Sequence, residues 1–64
     1  MSDRKQALIE EKQQLNEKIE KLESFIGSEA YQGIDPFQMS MLHIQLNAMH
    51  TYSQVLVERI IWIE

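Results

Sequence analysis

A chain of 64 residues without cysteine has neither disulfides nor cysteine-held metal, and its length limits it to one domain that buries little apolar surface alone. Six basic residues against ten acidic ones, a net charge of -4, argue against broad electrostatic binding to DNA or RNA. The longest strongly apolar run, "IIWI" at Ile60 to Ile63, falls far short of the ~20 residues that cross a bilayer, and the amino-terminal "MSDRKQALIEEKQQ" lacks a signal-peptide core, so the chain reads as soluble.

The first helix is expected from about Asp3 to Ile26, with Ser2 or Asp3 as its cap. Leu8, Leu15, Ile19, Leu22 and Ile26 fall on one stripe at heptad-like spacing, and "EEKQQ" and "EKIEK" surround it with strong helix formers. Glu17 and Lys21 stand in the favourable order for an i to i+4 pair. Such a pair contributes only ~0.2 to 0.5 kcal/mol, so burial of the stripe has to stabilise the helix.

At "FIGSEAYQGIDPFQ" the periodicity stops. Gly27 is placed to end the first helix, Ser28 to cap a short turn through Tyr31, and Gly33 to stop that turn in a left-handed conformation. Four start signals follow for the next helix. Asp35 stands at the N-cap, Pro36 at the first helical position, Gln38 at the third for a capping box, and Ile34 where it can staple against Met39. Residues 27–35 therefore read as a reversal between antiparallel helices, the second running from about Pro36 to Ile63. The fold class is all-α, a helical hairpin in a single domain.

The second helix offers two apolar stripes. One holds Leu42, Leu46, Met49, Leu56, Ile60 and Ile63, interrupted by Ser53; the other holds Met41, Ile44, Ala48, Tyr52, Val55 and Trp62. No Asp, Glu, Lys or Arg occurs from Pro36 through Val57. One thin first helix cannot cover both stripes, so the chain is expected to form a homo-oligomeric bundle with the second helix central and the charged first helix facing solvent.

Chemistry-bearing motifs are absent from the sequence. His43 and His50 are seven apart with no third ligand at compact spacing, which argues against zinc. "GSEAYQG" has two glycines but neither the strand nor the lysine of a phosphate loop. No nucleophile, base and orienter stand together, so neither an enzyme nor a cofactor is expected. Asn47, His50 and Ser53 can bridge neighbouring helices, and Tyr52 can show its hydroxyl at a seam. Between chains, the same segments can form a cavity that stacks bases on aromatic rings and holds phosphates through cations and hydroxyls. The candidate ligand contacts are Lys21, Phe25, Ser28, Tyr31, Tyr52 and Arg59. Each has a purely structural alternative: Lys21 as a solubilising charge, Ser28 as a cap, Arg59 as a cation suited to a helix end, and Phe25 and Tyr31 as closures of the hairpin.

Across "EKIEKLESFIGSEAYQGI" and "LNAMHTYSQVLVERI" the chain resembles small phage-encoded helical proteins, through a first helix ending in "FIGSEAY" and a second with Met49 and Tyr52 before "LVERI". Its size, lack of cysteine and hairpin plan are similar to phage anti-defence sponges, oligomers that sequester cyclic nucleotide signals of bacterial immunity. That resemblance implies a pocket between protomers, capture without cleavage, and a place in the host bacterial cytoplasm. The cyclic-dinucleotide sponges carry a tyrosine before their first long helix. No aromatic residue precedes Phe25 in this chain, so that role is not transferred, and Lys21 corresponds to their phosphate-contacting lysine by analogy alone.

Two functions from different classes follow. The first is sequestration of a cyclic nucleotide or nucleotide-derived signal by a homo-oligomer. The alternative is a structural or regulatory module that binds a host or phage protein through one helical face without any nucleotide. DNA mimicry fits less well, because lysines interleave with the glutamates of the first helix. Sequence-specific DNA reading lacks a basic recognition surface.

Overall fold

The computed structural model describes residues 3–63. Helix α1 spans Asp3–Ile26, α2 spans Glu29–Gln32 and α3 spans Pro36–Trp62. The described residues contain no strand, and α1 and α3 pack along one another as an antiparallel hairpin of 47 × 15 × 12 Å. Asp3 lies in the first turn of α1, where its charge suits the positive end of the helix dipole. Ser2, the other cap candidate, lies outside the described residues. Glu17 and Lys21 are both exposed and form no ion pair among the described residues.

The corner is built from local closures. The Gly27 amide donates to Glu23 O at 3.1 Å and the Ser28 amide to Phe25 O at 3.0 Å, ending α1. Ser28 does not cap α2 with its side chain; its Oγ turns back and donates to Phe25 O at 2.6 Å. This differs from the cap expected of Ser28, and the cause is competition: the last carbonyls of a helix lack internal donors, and a nearby hydroxyl satisfies one. Gly33 also departs from expectation. Its φ of -92° and ψ of -3° are not left-handed, because the Gly33 amide reaches Ala30 O at 3.1 Å and the Ile34 amide reaches Tyr31 O at 3.3 Å. These tight i to i+3 closures end α2 without a positive φ. Asp35 then caps α3, accepting the Gln38 amide on Oδ1 at 3.1 Å, with Pro36 at the first helical position.

The core runs along one side of the hairpin. Leu8, Leu15 and Ile19 of α1 meet Leu56 of α3, which is 0% exposed, and Leu46, Met49, Ile60 and Ile63 pack around them half-buried. Leu22 and Ile26 are also half-buried. The stripe containing Leu42, Leu46, Met49, Leu56, Ile60 and Ile63 is thus the one that α1 covers. The second α3 stripe stays open to solvent within one chain. Burial follows width: a helix with a single apolar row can shield only one row of its neighbour.

Candidate functional site

Two regions bring chemistry-bearing side chains together, one at each end of the rod. At the corner, Tyr31 is buried at 8% exposure. Its ring stands edge-on to Phe25, with centroids 6.1 Å apart, and edge-on to His43, with centroids 5.9 Å apart. Edge-to-face contacts of this kind suit the charge distribution of aromatic rings. Ser28 is tied to Phe25 through the carbonyl bond described above. Phe25, Ser28 and Tyr31 therefore form one unit that seals the turn, and a base can stack on Tyr31 only after that unit opens. Beside it, His50 Nε2 lies 3.3 Å from Glu23 Oε2. Both side chains are about half exposed, so this pair contributes little to stability.

At the opposite end, where α1 begins and α3 finishes, Arg4, Ala7, Leu8, Arg59, Trp62 and Ile63 line an open recess of about 470 Å³. That volume falls within the range of small-molecule sites. Its lining combines three aliphatic side chains with two arginines and a tryptophan, and Trp62 is 80% exposed. Among the described residues neither arginine forms an ion pair. Guanidinium offers several donors in a planar fork that matches phosphate or carboxylate oxygens. The amino-terminal end of α1 adds the positive end of its helix dipole to the same side. An exposed indole beside two cations suits a ligand that combines an aromatic ring with negative charge.

Of the six sequence-derived candidates, the hairpin groups Phe25, Ser28 and Tyr31 at the corner and puts Arg59 in the recess at the far end. Lys21 is exposed near the end of α1, and Tyr52 is exposed on the open stripe of α3. The six do not converge within one chain. Sequence reasoning missed Arg4 as a site residue and placed Trp62 only within a stripe. The available signal was topological, because an antiparallel hairpin brings the start of one helix beside the end of the other. Among the described residues no group of three or more metal-ligating side chains stands together, and no helix is long and apolar enough to cross a membrane.

The architecture defines a small all-α hairpin with a cationic, aromatic recess at its open end. The chain matches the Sequestin family model over residues 2–61, nearly its whole length, and belongs to that family. The membership fits the likeness to phage anti-defence sponges, and the family's name is consistent with sequestration. No curated relative and no solved structure matches the chain.

Proposed function

We propose that this protein is a phage anti-defence sponge that binds and sequesters a cyclic nucleotide or nucleotide-derived immune signal in the host bacterial cytoplasm without cleaving it. The observation that carries the reading is the recess at the open end, which Arg4, Arg59 and the exposed Trp62 line together with Ala7, Leu8 and Ile63. A nucleotide presents what such a site takes, a flat ring to stack and phosphate oxygens to pair. Membership of a family named for sequestering supports the same reading. The lining groups favour holding over turnover: guanidinium offers hydrogen-bond donors only, and alanine, leucine, isoleucine and tryptophan supply neither nucleophile nor base.

In the assembled protein, Lys21 and Tyr52, and Phe25, Ser28 and Tyr31 once the corner opens, are proposed to supply further contacts with Arg59 from more than one copy. The test is calorimetric titration of the purified protein with cyclic dinucleotides, cyclic trinucleotides and cyclic ADP-ribose variants, followed by denaturation and mass spectrometry of the released ligand. Binding with intact recovery supports sequestration, and recovery of a converted product identifies an enzyme. A second reading has its own observation, the open stripe of α3, which also suits a module that docks a host or phage protein. Failure of the whole panel, with one folded partner repeatedly recovered by affinity isolation, would replace the first reading with the second.

A further inference from the structure

The open stripe of α3 is ordered about a single residue. Met41 and Val55 are each seven positions from Ala48, Ile44 and Tyr52 each four, and Phe37 and Arg59 each eleven. At 3.6 residues per turn all of them lie within about 40° of the Ala48 direction. All seven are exposed in the single chain, with Phe37 at 65% and Ile44 at 59%. From this arrangement we infer that two copies pair through α3 in antiparallel fashion, on a twofold axis passing at Ala48.

The twofold makes the stripe its own complement. Met41 of one protomer lies level with the partner's Val55, Ile44 with the partner's Tyr52, and the two Ala48 side chains meet at the centre, where their small size permits close approach of the helices. The outermost layer sets Phe37 against the partner's Arg59, an aromatic ring against a guanidinium. Charge at Arg59 fits this direction: a parallel pair would place Arg59 on Arg59, whereas the antiparallel pair brings it against the uncharged amino-terminal turns of α3. The seam runs from Phe37 to Arg59, about 33 Å at 1.5 Å per residue. The side chains it offers expose an area of the order of the ~800 Å² per partner that a standard interface buries.

The pairing also joins the two ends described above. Ile34 and Trp62 are each fourteen positions from Ala48, so the partner's corner lies beside the recess formed by Arg4, Arg59 and Trp62. Each dimer then carries two equivalent sites, each walled by one protomer and bordered by the other. This consequence rests on the sequestration reading, whereas the pairing stands without it.

Engineered thiols test the geometry cleanly, because the chain has no cysteine of its own. Met41→Cys and Val55→Cys proteins, one carrying a mass tag, are mixed and oxidised mildly, and light scattering after size exclusion gives the mass of the unmodified protein. The expected result is a mass of two chains or an even multiple, with disulfides joining the thiol of the Met41→Cys chain to that of the Val55→Cys chain and none joining two Met41→Cys chains. A link between two Met41→Cys chains, or a monomer at every concentration, overturns the pairing. Ala48→Arg, a good helix former on an exposed position, is expected to weaken self-association at least ~100-fold by placing like charges on the axis; undiminished association of the folded variant overturns the proposal. Should that variant fail to fold, the thiol pairs decide alone. A dimer with the expected links that binds no nucleotide refutes sequestration and leaves the pairing intact, and a monomer that binds nucleotide does the reverse.

Discussion

Ser53 on α3 donates a 3.2 Å hydrogen bond from Oγ to Asn16 Oδ1 on α1, setting one polar pair between the two long helices. Both residues are half-buried, so the pair is shielded but not sealed. Apolar rows can slide past one another at modest cost, whereas a directional bond between fixed positions on each helix selects one axial register.

Ser53→Ala should therefore lower stability by about 1 kcal/mol. A double-mutant cycle with Asn16→Ala, followed by urea unfolding, should return a coupling of about 0.5 to 1.5 kcal/mol. Strict additivity of the two changes would show that the bond contributes nothing.

Asp35→Ala removes the acceptor for the Gln38 amide and should cost about 0.5 to 2 kcal/mol, while Asp35→Asn or Asp35→Ser should retain most of it. Thermal unfolding followed by circular dichroism reads the difference. Equal melting temperatures for the alanine and serine variants would remove the cap from the account of the corner.

Gly33→Ala should be neutral or raise stability by about 0.4 to 1 kcal/mol, because the backbone is already in a conformation open to L-residues and restricting the unfolded chain helps. A Cβ built at Gly33 would meet only Ala30 O, at an ordinary 3.5 Å. A clear loss of stability in urea unfolding would contradict the geometry of the turn.

Leu56 is the most buried side chain of the core, and Leu56→Ala should cost about 2 to 5 kcal/mol through lost transfer energy and the cavity left behind. A chain of this length has only about 3 to 10 kcal/mol in all. Leu56→Ala should thus melt far below the parent or fail to fold, whereas Leu56→Met should lose less than about 1.5 kcal/mol. Comparable melting temperatures for the alanine variant and the parent would mean that the seam is not where the stability lies.

Arg4→Gln and Arg59→Gln each remove a cation from the recess while keeping helix propensity. Each should weaken binding of an anionic nucleotide by roughly 10- to 100-fold, the value of a charged hydrogen bond, with helicity unchanged. Calorimetry on the two variants separates this recess from the corner. Parent-like affinity in both would move the ligand to the cluster around Phe25, Ser28 and Tyr31.

The hairpin was legible in the sequence because its determinants are local. A heptad-spaced row from Leu8 to Ile26, an uncharged stretch from Pro36 to Val57 and the Asp35-Pro36 start signal each act over a few residues, within reach of backbone propensity and capping. The paths of the turn hydrogen bonds were less legible. Ser28 had two acceptable partners, a following amide and a preceding carbonyl, and only the folded corner decided for Phe25 O. Gly33 permitted a positive φ without requiring one. Tertiary structure also decided which α3 stripe α1 would cover, since both rows are apolar, and it brought Arg4 beside Arg59 and Trp62. Residues 4 and 59 are neighbours only because the chain reverses between them, and no short-range pattern marks a contact made across the length of the molecule.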